Sequence, residues 1–397
     1  MKSQKKNAKR FERILAVLAL VLLFIAWVSG TFRAEADLAP LLKKALPEAN
    51  YFEPSSGGNY SAWKDEAKSR LLGYVAVGTA NGYGGELKVA VSVSLGGNVT
   101  GLSVVEHKET ASFFQRVLRS QLSESLKGKP HSDSFMLGQD VDSVTGATYS
   151  SRALTDAVRR ATRKVASRNL DFSIIPEPPP PVVFGFPEAV LIVLFAVGFV
   201  GRSRRFKHRK TIRWTSMLVG MGVLGFVYNR PLTLVFINKM LLGFWPEWRL
   251  NLYWYILLAG IVLIIAVGKK SPYCEWFCPF GSAQECLGII GGAKKRIPER
   301  THVLLRWFQR VLALSAIGLA LFYRNPSVSS YEVFGAFFHL IGSSFNFALL
   351  GIVLVAALFL KRPWCSYLCP LRPVTDFIRL IRNWMQELWL KSSPKTV

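Results

Sequence analysis

Six runs of apolar residues divide the chain, and each approaches or reaches the roughly 20 residues that a helix needs to cross a lipid bilayer. They lie near 14–28, 182–200, 217–228, 252–267, 307–323 and 345–360. The mean hydropathy of the whole chain is positive, which is unusual for a water-soluble protein of 397 residues. The sequence therefore predicts an all-α polytopic membrane bundle of about six transmembrane helices, in contact with membrane lipid.

Basic residues flank these runs and predict the orientation of the helices. The chain carries 50 Lys plus Arg against 25 Asp plus Glu, a net charge of +25, which is typical of proteins that bind nucleic acid or a membrane surface. The basic stretches MKSQKKNAKR, GRSRRFKHRK, GKK, AKKRIPER and KRP all fall on one side if every run crosses, and the positive-inside rule assigns that side to the cytoplasm. Because the charge follows topology rather than one domain, we expect no nucleic-acid partner.

The same topology leaves one large segment, 31–175, outside the cytoplasm. It ends in a proline-rich linker, 176–181, whose composition is typical of a stiff, extended spacer. Residues 1–30 form a basic cytoplasmic N-terminus with a transmembrane anchor. Residues 182–370 form the membrane bundle, and 371–397 form a basic amphipathic tail on the cytoplasmic membrane surface. The sequence thus predicts a multi-pass protein of the cell inner (cytoplasmic) membrane with an extracytoplasmic domain.

The pattern of the extracytoplasmic segment predicts an α+β domain. Apolar and small polar residues alternate from 72 to 105, with glycine turns at NGYGG and LGGN, which indicates strands. Apolar residues at helical spacing predict helices over 111–127 and 149–167. Strands followed by helices favour the α+β class.

A cluster of small and hydroxyl residues, DSVTGATYSS from Asp142 to Ser151, lies at the start of the second of these helices. Unpaired backbone N–H groups and the positive end of the helix dipole favour an anion at such a position. Gly146 and Ala147 leave the backbone open to close approach. The alternative is a helix cap, in which the hydroxyl of Thr148 or Ser150 only accepts hydrogen bonds from the first helical N–H groups.

DSVTGAT resembles the D-x-x-[ST]-G-A-[ST] pattern of the FMN-binding domains in Nqr, Rnf and NosR-type membrane electron-transfer proteins. In that family the last hydroxyl residue carries FMN through a phosphoester bond, which a flavin transferase of the ApbE type forms. The resemblance implies a covalent FMN on Thr148. It also implies a recognition segment made of Asp142, Thr145, Gly146 and Ala147.

A second segment, EHKETASFF from Glu106 to Phe114, is similar to the family's H-x-E-T segment beside the isoalloxazine ring. The resemblance implies flavin contacts by His107, Glu109 and Thr110. The segment departs from the family at Ala111, where many members have Pro-Gly. For His107 the alternative is a histidine at a strand end whose hydrogen bonds are satisfied locally.

The membrane part of the sequence contains an internal repeat. Each half runs from Arg-Trp through an apolar run to Tyr-x-x-Pro, then Val-Phe, then an Asn-led apolar run that ends at a cysteine motif. The motifs are CEWFCPFG and CSYLCPLR, 91 positions apart. Two such units related by an axis along the membrane normal would bring both motifs together.

Each motif has the form C-x-x-x-C-P, and residues i and i+4 of a helix share one face. Four thiolates suit an iron–sulfur cluster or another thiolate-bound metal ion, while a disulfide is disfavoured on the cytoplasmic side. The alternative, that the cysteines are small apolar fillers, accounts poorly for four of five cysteines in duplicated motifs. The sequence therefore predicts four cytoplasmic-side metal ligands: Cys274, Cys278, Cys365 and Cys369.

The order of these parts resembles that of the NosR/NirI family, including the related membrane flavoproteins encoded with reductive dehalogenases. The resemblance covers nearly the whole chain. Longer members continue into a cytoplasmic ferredoxin-like domain with C-x-x-C-x-x-C runs. Because 371–397 contains no cysteine, we expect that module to be absent.

The preferred hypothesis is transmembrane electron transfer between a cytoplasmic-side metal centre, or quinol, and the extracytoplasmic FMN. The protein would be an electron-transfer component rather than a stand-alone enzyme. Its expected partners are the quinone pool or a cytoplasmic electron donor, and an exported reductase whose activity or maturation it supports. The alternatives are a redox-sensing membrane regulator and a thiolate-based protein that handles copper.

The predicted redox sites lie on opposite sides of a hydrocarbon core about 30 Å thick, which is far for a single electron step. We therefore expect an intermediate carrier, either a quinone or another cofactor. His339, near the external face, is a candidate haem ligand, and the favoured alternative is an interfacial histidine.

Overall fold

The computed structural model describes residues 2–32, 39–174, 179–201, 208–267, 271–293, 297–328 and 331–392. The first part of the predicted linker, 176–178, falls outside the described residues. So do the basic stretches 202–207, 268–270 and 294–296 and the end of the predicted tail, 393–397. An α+β unit, residues 39–174, lies against a helical region made of the first helix and residues 179–392.

The elements follow one another in the order α1 (Lys2–Thr31), α2 (Ala39–Ala45), β1 (Tyr51–Ser55), β2 (Asn59–Trp63), β3 (Leu71–Asn81), β4 (Glu86–Val93), β5 (Val99–His107), α3 (Ala111–Leu118), α4 (Leu122–Ser125), α5 (Thr148–Asn169), α6 (Phe186–Val200), α7 (Arg209–Val219), α8 (Leu234–Leu241), α9 (Leu252–Val267), α10 (Pro279–Ile290), α11 (Glu299–Phe322), α12 (Phe334–Phe338), α13 (Ser344–Phe359), α14 (Pro363–Tyr367) and α15 (Leu371–Ser392). Two π-helical segments, Gly220–Val227 and Tyr273–Phe277, follow α7 and precede α10.

The five strands form one antiparallel sheet in the order β1-β2-β3-β4-β5. The side chains of alternate residues point to opposite faces, so each face carries its own apolar set. On one face Ala76 and Ala80 pack under α5, and on the other face Val75 packs with Leu42 of α2. The sheet is therefore covered by a helix on both sides, as an α+β domain requires.

Gly78 allows α5 to approach the sheet closely. A Cβ atom at this position would clash with the carbonyl oxygen of Ala157 in α5. The approach fixes the long helix, and with it the N-terminus that carries Thr148, against the rigid centre of the sheet. The predicted helix over 149–167 corresponds to α5.

The single helix predicted over 111–127 is wrong in detail, because the chain forms two short helices there. α3 ends at Leu118 and α4 begins at Leu122. The Ser120 hydroxyl accepts a hydrogen bond from the backbone N–H of Leu122 at 3.3 Å. A serine side chain that bonds the backbone locally competes with continuation of the helix.

The helical region contains a helix at each of the six predicted apolar runs: α1, α6, α7 with its π-helical continuation, α9, α11 and α13. Among the described residues, Arg10–Thr31 and Glu299–Phe322 are long and apolar enough to cross a bilayer. Phe186–Val200, Leu252–Val267 and Ser344–Phe359 are apolar but shorter. The C-terminal part of the protein is thus mostly helical.

The two halves of the predicted repeat share two backbone features. Asn229 and Arg324, each directly after the tyrosine of Tyr-x-x-Pro, have positive φ angles of 51° and 49°. The N–H of Cys278 bonds to the carbonyl of Tyr273 at 2.7 Å, and that of Cys369 bonds to the carbonyl of Trp364 at 2.8 Å. Both are i to i−5 bonds, so the two cysteine segments bend in the same way.

The α+β unit contacts the helical region through its β3–β4 turn and the segment after β5. The Lys239 ammonium donates a hydrogen bond to the Gly82 carbonyl, and the hydroxyls of Tyr83 and Thr233 lie 3.0 Å apart. The Ser327 hydroxyl donates to the Lys108 carbonyl at 2.8 Å. The ends of β3 and β5 are therefore held on α8 and on the segment that follows α11.

Candidate functional site

The N-terminus of α5 is free of side-chain caps among the residues that the structure describes. Ala147 is the N-cap residue, and no side chain bonds to the first helical N–H groups. The Ser150 hydroxyl donates instead to the Glu109 carboxylate, and Thr148 is exposed. The cap expected as the alternative function of Thr148 or Ser150 is therefore not formed.

Positive charge gathers at this helix end. The Arg116 guanidinium donates a hydrogen bond to the Thr145 carbonyl at 3.4 Å. Gly146 has a φ of +77°, and a Cβ atom there would lie 3.1 Å from Nη1 of Arg116 and 3.2 Å from Cδ1 of Ile341. A guanidinium, a helix N-terminus and an open backbone together favour an anion such as a phosphate.

A cavity of about 230 Å³ opens beside Thr148, between the α+β unit and the helical region. Aromatic side chains from both parts form much of its wall: Tyr83, Phe113, Tyr149, Trp254 and Phe334. Polar side chains also line it, among them Glu109, Thr110, Thr148, Glu332 and His339. Aromatic walls with a few fixed polar groups are typical of sites for a planar cofactor.

The predicted flavin contacts divide into two groups. Glu109, Thr110, Gly146, Ala147 and Thr148 line the cavity. Asp142, Thr145 and His107 do not line it, and the first two are exposed on the loop before α5.

His107 packs its ring against Phe114, with the ring centroids 4.3 Å apart, and burial lowers the pKa of its imidazole. His107 is the last residue of β5, and its buried Nδ1 atom has no hydrogen-bond partner among the described residues. His339, considered above as a haem ligand, lines the cavity and makes an edge contact with the ring of Phe113 at 5.6 Å.

Glu109 connects three segments around the cavity. Its carboxylate accepts hydrogen bonds from the backbone N–H of Gly84, at 2.9 Å, and from the Ser150 hydroxyl, and only 3% of the residue is exposed. The β3–β4 turn, the segment after β5 and α5 are thereby joined at one buried charge. Lys239, 4% exposed, lies within electrostatic reach of this carboxylate.

Sequence reasoning missed Lys239 and Glu332, two buried ionisable residues that the helical region contributes. Burial raises the pKa of Glu332 to about 8. The Glu332 carboxylate accepts hydrogen bonds from the N–H of Leu234 at 2.9 and 2.8 Å, so it holds the start of α8 under the cavity. A lone ionisable residue within an otherwise apolar stretch, as in VFINKMLLGF and SYEVFGAFF, is the pattern that could have indicated both.

Loop 134–141 leads into DSVTGAT and is held by Asp140, which was also missed. Its carboxylate accepts hydrogen bonds from the Ser134 hydroxyl at 2.7 Å, from the N–H of Phe135 at 2.9 Å and from Met136 at 2.6 Å. Lys129 lies 3.1 Å away. Burial opposes the charge, but these bonds outweigh it and hold the pKa of Asp140 well below its usual range.

The four cysteines of the repeated motifs belong to one aromatic core of the helical region. Cys369 is buried, and Cys274, Cys278 and Cys365 pack against the same core. Their thiols lie within electrostatic range of one another. Among the described residues, no three His, Cys, Asp or Glu side chains are close enough to hold a single metal ion.

Polar side chains surround the cysteine segments. The Gln284 amide donates to the Cys365 sulfur at 3.4 Å, and the Gln309 amide donates to the Cys369 carbonyl at 2.7 Å. The Arg362 guanidinium donates to the Cys274 carbonyl at 2.7 Å and to Glu285 at 2.6 Å. Donors therefore face both the sulfur atoms and the carbonyls that the bent segments leave free.

The wall of the cavity and the cysteine segments are in contact, contrary to the separation of about 30 Å expected from a core of that thickness. The Phe334 ring lines the cavity and lies 5.3 Å from the Phe280 ring and 6.1 Å from the Trp364 ring. Trp364 immediately precedes Cys365. The path from the Phe334 ring to Cys365 runs across the Trp364 side chain and then along one Cα–Cα step of about 3.8 Å. Its length is therefore on the order of 15 Å.

Two protein families match the sequence. Residues 82–163 match the family described as FMN-binding domain, a range that contains Glu109 and Thr148. Residues 250–298 and 344–388 match the family described as 4Fe-4S binding domain, and each range contains one C-x-x-x-C-P motif.

Curated relatives match parts of the chain. NirI of Paracoccus denitrificans is 25% identical over 201 residues, which cover 46% of this chain and 29% of NirI. The putative electron transport protein YccM of Escherichia coli is 26% identical over 140 residues, 32% of this chain and 39% of YccM. A component of the proton-translocating ferredoxin:NAD(+) oxidoreductase complex of Clostridium ljungdahlii is 28% identical over 134 residues, 32% of this chain and 70% of that component.

The fold and these matches define a protein that combines an FMN-binding domain with a 4Fe-4S binding domain. The chain is similar to proteins of the NosR/NirI type. The matched part covers less than half the length of NirI and of YccM.

Proposed function

We propose that the protein transfers electrons between an FMN joined covalently to Thr148 and an iron–sulfur cluster held by Cys274, Cys278, Cys365 and Cys369. The observation that carries this proposal is the shared wall of the two sites. Phe334 lines the cavity beside Thr148, and its ring lies 6.1 Å from that of Trp364, the residue before Cys365.

The end of α5 fits the phosphate of FMN. Thr148 offers an exposed hydroxyl, the first N–H groups of α5 have no side-chain cap, and Arg116 lies beside Gly146. Asp142 and Thr145, on the exposed loop, are then the segment that a flavin transferase of the ApbE type recognises. The phosphoester retains a flavin that modest contacts alone would lose outside the cytoplasm, and the cofactor supplies the redox chemistry.

The four thiols fit an iron–sulfur cluster by their chemistry. The four cysteines belong to one core cluster of the helical region, which supports a shared centre. Gln284 donates to the Cys365 sulfur, the kind of hydrogen bond that tunes the potential of such clusters.

The depth of the cysteine segments follows from α11. Gln309, which bonds to the Cys369 carbonyl, comes ten residues after Glu299, or about 15 Å along a helix of about 36 Å. If α11 crosses the bilayer with the other five helices, as we propose, the cysteines lie near its middle rather than at the cytoplasmic surface. No separate carrier is then needed between them and the flavin. The shared bends at Cys278 and Cys369 support an internal two-fold repeat.

The remaining parts of the proposal concern partners. With the positive-inside orientation, the flavin faces outward from the inner membrane, and electrons enter from the quinone pool or a cytoplasmic donor. An exported reductase then takes electrons from FMN. The names of YccM, an electron transport protein, and of the oxidoreductase complex that contains the Clostridium ljungdahlii relative agree with this class of function.

The proposal is tested by mass spectrometry of full-length protein made together with a flavin transferase. We expect an adduct of one FMN less water on the peptide that contains Thr148, and none in Thr148→Ala. Ser143→Ala is the matched control, because Ser143 is an exposed hydroxyl on the same loop that does not line the cavity. An adduct that persists in Thr148→Ala would refute the attachment site.

Iron and acid-labile sulfide, with electron paramagnetic resonance of the reduced protein, test the cluster. Cys278→Ser should abolish the signal, and Cys286→Ser, outside the repeated motifs, should preserve it. Equal signals in the two variants would refute ligation by the repeated motifs.

A further inference from the structure

An apolar groove lies beside two of the helices that contact the cysteine segments, α11 and α15. It has a volume of about 370 Å³ and runs between α1, α11 and α15. Its walls are almost entirely aliphatic and include Leu15, Ala19, Val311, Ile317 and Val374. The volume falls within the range of small-molecule sites.

The groove has a polar end. Glu12, Arg310 and Asp376 line it there, and Arg310 lies near the middle of α11. The Asp376 carboxylate is paired with Arg379 at 3.0 Å and with Arg306 at 3.5 Å, and the Arg310 guanidinium lies over the Trp307 ring at 4.9 Å. Two carboxylates among these cations make the end nearly balanced in charge rather than strongly basic.

The groove is also adjacent to the cysteine segments. Gln309 donates to the Cys369 carbonyl, and the next residue, Arg310, lines the groove. Arg372 donates to the Cys365 carbonyl at 3.5 Å, and the next residue, Pro373, lines the groove. Gln309 of α11 and Arg372 of α15 thus contact the two cysteines of the second motif. The residue that follows each of them lines the groove.

We propose that this groove binds a prenylated quinol, which delivers electrons to the cysteine centre. A quinol has a neutral head with hydroxyl and carbonyl oxygens and an apolar tail. The Arg310 guanidinium donates to a head-group oxygen, Glu12 accepts from a hydroxyl, and the aliphatic wall takes the tail. A phospholipid with an anionic head group fits less well, because Glu12 and Asp376 would repel it.

The step balances. The quinol loses two electrons and two protons and leaves as quinone. A cluster held by the four cysteines would pass the electrons on one at a time, and an FMN held at Thr148 would take up two electrons and two protons. The protons of the quinol leave through the carboxylate end of the groove. This inference rests on the proposed function, since it uses the same centre and the same flavin.

Binding is tested first, without electron transfer. Full-length protein with covalent FMN in lipid nanodiscs is photolabelled with an azido-ubiquinone that bears a decyl chain, and the labelled peptides are identified by mass spectrometry. We expect labels on peptides from α1 and α11. Ala19→Trp should fill the groove and remove them, while Val21→Trp, on an exposed position of α1 outside the groove, should keep them. Labels elsewhere, or a phospholipid that the quinone does not displace, overturn the proposal.

Electron delivery is tested with decyl-ubiquinol and the bleaching of FMN absorbance. Ala19→Trp should slow the bleaching by about tenfold or more, and Val21→Trp should not. Both should remain reducible by dithionite. Quinone that binds in the groove without reducing the cysteine centre overturns its role in electron entry. Cys278→Ser should keep the photolabel and lose the bleaching by quinol. If it bleaches at the normal rate, the proposed route through the cluster fails while the groove remains a quinol site.

Discussion

Replacement of Glu109 provides a direct measure of how the α+β unit is held at the cavity. In Glu109→Ala, the Gly84 N–H and the Ser150 hydroxyl lose their acceptor inside the protein, at about 1–3 kcal/mol each. Burial lowers the pKa of Lys239 to about 8 and Glu109 opposes that shift, so Lys239 also loses its opposing charge, at about 1–2 kcal/mol more. Since such terms are not additive, we expect a total loss of about 4 kcal/mol.

Glu109→Gln should cost much less. The glutamine oxygen accepts from the Gly84 N–H, and its amide donates to the Ser150 hydroxyl, which accepts as readily as it donates. Only the charge is lost, at about 1–2 kcal/mol. At about 2–4 °C per kcal/mol, Glu109→Ala should lower the unfolding midpoint of the α+β unit by about 10 °C, and Glu109→Gln by about 4 °C.

The assay is scanning calorimetry of the full chain in nanodiscs, with hydrogen exchange of the peptide around Gly84 to locate the effect. A double-mutant cycle with Lys239→Met isolates the charge term. We expect Glu109→Gln to cost nothing further once Lys239 has been replaced. Equal losses in Glu109→Ala and Glu109→Gln, or additive losses in the double variant, would refute the reasoning.

Two further predictions concern groups outside the cavity. Asp140→Asn should destabilise the α+β unit by about 1–2 kcal/mol at neutral pH, because the amide keeps only one acceptor oxygen and its NH2 group cannot accept from the donors that face the other carboxylate oxygen. The folded-state pKa of Asp140 is lowered, so its stabilisation is complete above the unfolded value of about 3.9 and declines as the pH falls toward the folded value. Calorimetry of both proteins from pH 7 to pH 3 should therefore show the difference shrink, and a constant difference would contradict this account. Gln284→Leu removes the donor to the Cys365 sulfur and should make the reduction potential of the centre more negative. A redox titration followed by paramagnetic resonance measures it, with Gln309→Leu as the control that bonds only to carbonyls.

Local patterns in the sequence predicted the elements well. Alternation from 72 to 105 predicted β3, β4 and β5, and the apolar stripe of 149–167 predicted α5, because both patterns follow from the geometry of one element. The break between α3 and α4 was missed because one side-chain bond from Ser120 decides it. The segments DSVTGAT and C-x-x-x-C-P identified the candidate residues through their resemblance to a family.

The relation between the two sites was not predictable from one sequence. It depends on how the α+β unit packs on α8 and α12, and on rings such as Phe280 and Phe334, which read as ordinary apolar residues along the chain. The same packing buries Lys239 and Glu332. An ionisable side chain is costly to bury, so these two residues stand out only once the structure shows that their surroundings are buried.

The environment of the cysteines explains why so many polar side chains surround them. The bends before Cys278 and Cys369 interrupt regular helix and leave carbonyls without their usual partners. Irregular backbone at membrane depth is tolerated only where the protein supplies other partners. Gln309 supplies them for Cys365 and Cys369, and Arg362 supplies one for Cys274.

The Gln284 amide also donates to the Cys365 sulfur, and the Arg362 and Arg213 guanidiniums share the Glu285 carboxylate, which both of them contact at 2.6 Å. One carboxylate thus offsets part of the charge that the two guanidiniums bring into this region. A bend that frees carbonyls and donors that satisfy them are consequences of one local arrangement.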